Sequence, residues 1–230
     1  MVTITAEDLA ALKAYDTPTI CNALEIVAPS RRATGFTTRP LICRDPSMPP
    51  MVGFARTATI RSLTPASPAV AARREPYYEY VAKDPLPSIS VIQDLDPIPG
   101  FGAFWGEVNT AIHKGLGCEG VVTDGSIRDL DQCAPGFQLL AGMVAPSHAH
   151  VHVEDFGCDV NIYGMAVSDG DIIHADRHGA VVIPTEVLKD IAGAVDLLVR
   201  REAVVLACAR AEDFDIHKLK KAMANAREIH

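Results

Sequence analysis

The sequence predicts a layered α/β domain with a mixed sheet. Three observations carry this. Helical patterns open and close the chain, strand–helix–strand units occupy its middle, and several short strands punctuated by Gly and Asp lie between 148 and 184. The βαβ units call for parallel strands and the closely spaced short ones for antiparallel pairs. A mixed sheet with helices packed on it satisfies both.

Taken in order, 5–15 and 18–28 read as two short helices, with Asp16-Thr17-Pro18 placing a cap before a helix-compatible proline. The stretch 29–50 has no period and reads as a loop, while GFARTATIRS (53–62) alternates like a strand. Residues 67–84 are partly helical, with Pro76 expected to interrupt them. SISVIQDLD (88–96) reads as a buried strand with a carboxylate-rich tip, and PIPGFGAF (97–104) as a Gly/Pro loop. A helix follows from about Glu107 to Leu116, with Ala111, Ile112 and Leu116 as its apolar stripe and Gly115 and Gly117 at its end. EGVVTDG (119–125) is a strand and turn, SIRDLDQ (126–132) a helical turn, and FQLLAGMV (137–144) another strand. Beyond Pro146 come the short strands, then one long helix and a shorter one; no repeat or low-complexity tract interrupts the chain.

Composition narrows the function. Hydrophobic residues at 48% and charged residues at 22% fit a globular chain of 230 residues, enough for one large domain or two small ones. The net charge is −8 and basic residues occur at most in pairs such as Arg31-Arg32, which argues against nucleic acid as a partner. No apolar run approaches the roughly 20 residues of a membrane helix. The N-terminal stretch lacks the basic-then-apolar pattern of a signal peptide. Six scattered cysteines, without a Cys-x-x-Cys pair, fit reduced thiols in the cytoplasm. GFGAFWG is not a dinucleotide fingerprint, and there is no P-loop.

The segment Trp105–Asp129 concentrates the candidate chemistry. Glu107 stands at a helix start, where the free N–H groups of Val108 and Asn109 attract anions. Its simplest role is to complement the helix dipole, worth about 0.3–1 kcal/mol. Gly106 beside it lets a ligand approach the backbone closely. Arg128 is a fork for a carboxylate. Asp129 is a hard oxygen ligand suited to Mg²⁺ or Mn²⁺, which keep several waters; the plainer alternative is a local Arg–Asp surface pair. Asp124 is a further candidate ligand, but Asp-Gly is a strong turn signal and the turn role is the better expectation.

His148, His150, His152 and Glu154 alternate and would share one face of a strand, with His174 and His178 following. This partly resembles the cupin metal motifs, but the two blocks are too close together and a cupin is nearly all β. A subunit interface or a cleft wall is the better expectation. The stretch 115–188 has no lysine, and Lys114 occupies a solvent-type helix position. Schiff-base chemistry is therefore disfavoured against a metal mechanism.

Taken together, GE…GCEGVVTDGSIRDLD and SDGDIIHADRHGAVVIP resemble the RraA-like family over about residues 15–185, most strongly in 100–185. That family includes class II 4-hydroxy-4-methyl-2-oxoglutarate / 4-carboxy-4-hydroxy-2-oxoadipate aldolases, the regulator of ribonuclease activity A, and members long mislabelled as demethylmenaquinone methyltransferases. The aldolases are marked by Asp, twenty residues, then Arg-Asp; here Arg128-Asp129 is preceded at that spacing by Glu107, one methylene longer. The resemblance implies a swivelling β/β/α fold with a mixed sheet and flanking N- and C-terminal helices. It implies one domain over 1–230, with a core of about 15–185 and a helical extension of 185–230. It implies that Asp129 binds Mg²⁺ or Mn²⁺, that Arg128 binds the pyruvyl part of a 2-oxo acid, and that Gly106-Glu107-Val108-Asn109 receives its carboxylate. Glu107 would help to position or protonate through water. Homotrimers or homohexamers with sites between subunits, completed in the aldolases by a neighbour's carboxylate, are implied as well. The ribonuclease regulators lack the Arg-Asp pair, so its presence favours an enzyme, a lyase that also has scope for oxaloacetate decarboxylation.

Overall fold

A computed structural model of the chain describes residues 4–85 and 87–230. Its helices are α1 (Ala6–Leu12), α2 (Thr17–Val27), α3 (Pro68–Ala71), α4 (Arg74–Val81), α5 (Glu107–Gly115), α6 (Ile191–Ala209) and α7 (Ile216–Arg227). Its strands are β1 (Ile42–Cys43), β2 (Met51–Arg61), β3 (Ser88–Asp94), β4 (Cys118–Thr123), β5 (Ser126–Ile127) and β6 (Gln138–Ala141). The later strands are β7 (Met143–Val144), β8 (His152–Phe156), β9 (Val160–Ile162), β10 (Met165–Val167), β11 (Ile172–Asp176) and β12 (Gly179–Ile183).

The main sheet runs β1-β6-β4-β3-β2-β11-β12, and β8 joins β2 beside β11. Strands β2, β3, β4 and β6 are parallel, whereas β1, β8 and β11 lie antiparallel to their neighbours. The long β2 organises this layout. One edge pairs with β3; on the other, its first half pairs with β11 and its second half with β8, with a register shift between Thr59 and Ile60. A strand shared between two partners, with a bulge, bends the sheet into a curled half-barrel. The expected mixed α/β fold is the one observed.

Three apolar clusters hold the layers. Tyr77, Trp105 and Phe137 belong to the one that packs α4 and the segment entering α5 on the sheet. Val91, Val122, Ile162 and Met165 join the sheet to the β9–β10 hairpin. Leu9, Ile20 and Ile191 join α1, α2 and α6 to the β11–β12 end. The caps read in the sequence form: the Asp16 side chain accepts from the Thr19 N–H at 2.9 Å. Thr5 and Asp8 make a reciprocal capping box on α1.

Four local expectations are corrected. Pro76 does not interrupt a helix; it sits in the first turn of α4, where no intrahelical N–H is needed. Strand β2 is buried nearly throughout despite its alternation. Its Arg56 is accommodated by the carbonyls of Lys83 and Pro85 at 2.7 and 3.2 Å. The buried residues of α5 are Thr110 and His113, while Ala111 is exposed and Ile112 and Leu116 are half-buried. Ser126-Ile127 is not helical but pairs parallel with Met143-Val144.

Candidate active site

The candidate residues meet beyond the carboxyl ends of β3 and β4, where parallel α/β sheets commonly bind ligands. Two backbone contacts bring them together. Trp105 bridges Ile127, and the Arg128 N–H donates to the Trp105 carbonyl at 2.9 Å. Trp105 is fully buried, its ring centroid 4.5 Å from that of His113. The chain entering α5 is thereby fastened to the chain leaving β5. Thr110 adds a second tie, its hydroxyl accepting from the Ala134 N–H at 2.9 Å. On the far side, Arg44 donates to the carbonyls of Leu130 and Cys133 at 2.7 and 3.4 Å. Thr110 and Arg44 position the loop that carries Asp129, and nothing in their local sequence marks them for it.

Asp129 has φ 53°, a left-handed conformation that Asp tolerates better than most residues. This turns its carboxylate back onto the start of α5, where Oδ2 lies 3.4 Å from the Glu107 nitrogen that donates to it. Gly106 is required by this approach rather than by its own backbone, which is extended at φ −164°. A Cβ there would stand 2.6 Å from Asp129 Oδ2 and 3.2 Å from Arg128 Cγ. The close neighbour of Gly106 is thus a protein carboxylate. Arg128 reaches Asp129 Oδ1 at only 3.5 Å, and their side chains are 36% and 31% exposed. A guanidinium and a carboxylate so loosely joined keep most of their hydrogen-bonding capacity for a ligand.

Arg128, Val108 and Asn109 line a cleft of about 600 Å³ whose other wall is formed by α3, α4 and His148–Val153. Glu107 and Asp129 flank it, each adjacent in the chain to a lining residue. Glu107 is exposed at the mouth. The Asn109 side chain is fully engaged: Oδ1 accepts from Tyr78 at 2.7 Å and Nδ2 donates to the Phe104 carbonyl at 2.5 Å. Its backbone N–H, with that of Val108, is what the helix end can offer.

The histidines separate into two groups. Only His152 lies within β8; His148 and His150 precede it on a turn where Ala149 has φ 47°, so the expected shared strand face does not form. All three line the cleft. His174 is buried elsewhere, against Thr17 and the carbonyls of Leu12 and Tyr15, and burial lowers its pKa. His178 pairs with Asp176 at 3.1 Å. Among the described residues, no three His, Cys, Asp or Glu side chains converge to hold a metal ion. A cage of protein ligands is therefore not what this site offers. Asp129, a half-exposed carboxylate with both oxygens weakly engaged, fits a hard cation that takes one protein oxygen and keeps its waters.

Behind the mouth lies a layer of buried acids. The Asp124 Oδ1 accepts from the Asp94 N–H at 2.8 Å, and Asp94 accepts from the Asp96 and Gly100 N–H groups at 2.9 and 2.7 Å. Burial, then the neighbouring Asp94 charge, pushes the Asp124 pKa up to about 6. Asp124 thus serves the strand ends and the turn.

Parallel strand ends, an arginine–aspartate pair and a helix N-terminus thus meet at one open corner of a mixed α/β domain. The chain matches the RraA-like family, described as Aldolase/RraA, over residues 8–182, and it belongs to that family. The family contains aldolase and decarboxylase members as well as ribonuclease regulators. A Pseudomonas syringae pv. tomato protein shares the fold at a TM-score of 0.73 and 20% identity, over 97% of this chain and 96% of that one. Streptomyces coelicolor RraAS2, an unusual member of the RNase ES inhibitor RraA protein family, gives 0.70 and 20%, over 88% of this chain and 97% of that one. An uncharacterised protein of Methanocaldococcus jannaschii is 35% identical over 91 residues, 39% of this chain and 44%, less than half, of that relative.

Proposed function

We propose that the protein is a divalent-metal-dependent lyase that cleaves a 4-hydroxy-2-oxo acid to pyruvate and a second carbonyl compound. The observation that carries this is the approach of Arg128-Asp129 across Gly106 to the start of α5, at the edge of a cleft. Mg²⁺ or Mn²⁺ bound at Asp129 would supply Lewis acidity to the 2-oxo group. Arg128 and the N–H groups of Val108 and Asn109 receive the substrate carboxylate, which fixes the pyruvyl end. The same fixed positive potential favours the charge that develops as the C3–C4 bond breaks. Glu107, exposed at the mouth, holds a water that returns a proton to C3. Oxaloacetate decarboxylation would leave the same three-carbon fragment and needs the same groups.

The test is exchange of pyruvate methyl protons in D₂O, together with pyruvate release from a panel of 2-oxo acids. Exchange should require Mg²⁺ or Mn²⁺ and stop with EDTA. A borohydride-trapped pyruvate–lysine adduct would sink the reading. The fold shared with the Streptomyces protein supports a second reading, a non-catalytic ring-shaped regulator; partner capture without exchange or release would favour it. We further propose a homotrimer or homohexamer. Ile98 (74% exposed) and Phe101 (52%) sit on the loop that packs Gly100 against Met143, itself 40% exposed beside Val144 at 43%. Such an apolar patch beside the site fits a subunit contact. A cytoplasmic setting is supported by six free cysteines. No helix among the described residues is long and apolar enough to cross a membrane.

A further inference from the structure

We infer that the cleft beyond Arg128 is built for an apolar, aryl-sized substituent at C4 of the 2-oxo acid. This rests on the reading of Arg128 and the α5 N-terminus as the pyruvyl site. Three observations carry it. The first is size: about 600 Å³ is the capacity of a pocket for a drug-sized ligand, far more than a three-carbon acid fills.

The second is the wall. Beside Arg128, the cleft lining includes Val108, Phe104, Tyr78, Val151, and Val70 and Ala71 of α3. Val108 is 62% exposed, in the first turn of a helix whose end otherwise attracts charge. An apolar side chain left open on a concave surface marks where an apolar ligand lies.

The third is charge. Among the described residues no lysine lines the cleft, and its arginines are Arg128 and Arg74. Arg74 is exposed, and its guanidinium lies over the Tyr78 ring at 6.0 Å. His148 Nδ1 and His152 Nδ1 are taken by the carbonyls of Ala149 and His150 at 2.7 and 2.8 Å. His152 Nε2 faces the Glu154 carboxylate at 3.4 Å. Among the described residues, the cleft thus has one guanidinium outside the pyruvyl site, and it lies against an aromatic face that an aryl substituent can extend. Cleavage of such a substrate balances without a co-reactant. The C3–C4 bond breaks, the 4-hydroxyl gives up its proton as the aryl aldehyde forms, and C3 takes a proton to give pyruvate.

The experiment compares 2-oxo-4-phenylbutanoate with 2-oxoglutarate by calorimetry on the full chain with Mg²⁺. Neither has a 4-hydroxyl, so neither is cleaved. The phenyl compound should bind at least about tenfold tighter, or about 1.4 kcal/mol. Val70→Lys should reduce that ratio at least fivefold; Ala71→Lys, at an exposed position, gives the same reading if the first variant folds poorly. A 2-oxoglutarate affinity equal to or above that of the phenyl compound, a ratio unmoved by both lysines, or no binding of either compound overturns the proposal. Pyruvate proton exchange is read separately. Exchange with no phenyl preference overturns the pocket alone, and absent exchange with a phenyl preference overturns the lyase reading alone.

Discussion

Two sets of carboxylates lie within one corner of this molecule, and they are built in opposite ways. Asp94, Asp96 and Asp124, at 3%, 7% and 7% exposure, are locked by backbone donors. Asp96 alone accepts from the Ser62 N–H, the Ser62 hydroxyl and the Leu63 N–H at 2.7, 2.7 and 3.0 Å. Asp129 is 31% exposed and its contacts are 3.4 and 3.5 Å long. The buried acids have spent their hydrogen-bonding capacity on holding strand ends and loops together. Asp129 has kept its own. Residue type is the same in both, so commitment, not chemistry, separates scaffold from candidate machinery.

The strongest way to break this comparison is to exchange the consequences. Asp129→Ala should abolish Mg²⁺-dependent pyruvate proton exchange; its contacts are long, so stability in urea should fall only by the roughly 1–2 kcal/mol that alanine costs in the left-handed conformation at 129. Arg128→Lys should retain Mg²⁺ binding and lose about 10²–10³-fold in exchange rate, since lysine keeps the charge but not the fork. Full exchange in Asp129→Ala, measured by NMR, would place Asp129 with the scaffold.

The buried set should instead show itself in stability against pH. Asp124 has its pKa raised from 3.8 to about 6 by burial, and Asp94 is raised in the same sense. The stabilisation of the protonated acid is fully present below pH 3.8 and is lost as pH rises through about 6. His113, buried between Tyr77 and the Asn109 carbonyl, has its pKa lowered from 6.5 to about 4. Its contribution is present above pH 6.5 and is lost as pH falls through about 4. Each shift amounts to about 3 kcal/mol, and the two oppose each other. The wild type should therefore vary little between pH 4.5 and 6. Asp124→Asn, which keeps an acceptor for the Asp94 N–H, should uncover the histidine slope, with stability rising by about 2 kcal/mol across that range. A variant as flat as the wild type in urea titrations would show that Asp124 ionises normally.

Gly106 tests the boundary between the two sets. Gly106→Ala places a Cβ 2.6 Å from Asp129 Oδ2, so the carboxylate has to move while the extended backbone at 106 stays acceptable. Mg²⁺ affinity should fall about tenfold, some 1.4 kcal/mol, with little loss of secondary structure by circular dichroism. Unchanged affinity would mean that Asp129 has freedom the geometry does not show.

How much of this could be read from the sequence follows from the same distinction. Local signals were legible: the Asp16 cap, the βαβ order, the helix from Glu107, and the spacing from Glu107 to Arg128-Asp129. What was not legible was polar burial. Thr110 and His113 form the underside of α5 because the loop at Ala134 and Tyr77 supply their partners. A hydrophobic pattern cannot register such partners, so Ala111, Ile112 and Leu116 were the natural expectation for that face. Pairing across distance was equally hidden. The double partnership of β2, and the return of Asp129 onto Gly106, depend on a bulge and a left-handed residue that no local pattern specifies. The cleft-facing histidines were visible as a group, but their strand was not, because Ala149 turns the chain between them.

That turn supports the smallest test. Ala149 carries φ 47° on the cleft wall, held by its N–H donating to Ser147 Oγ at 3.0 Å and its carbonyl facing His148 Nδ1 at 2.7 Å. A left-handed alanine costs roughly 1–2 kcal/mol, and glycine in its place gives back about 0.5–1 kcal/mol in chain entropy. Ala149→Gly should therefore raise stability by about 0.5 kcal/mol, a shift of about 1–2 °C in Tm by calorimetry. The contacts across the cleft do not use the Ala149 side chain for charge, so the wall keeps its shape and the Asp129 mouth is untouched. A fall in Tm would mean that the methyl group packs in the wall strongly enough to outweigh its backbone strain, and the His148–His152 wall would then belong with the committed half of the comparison.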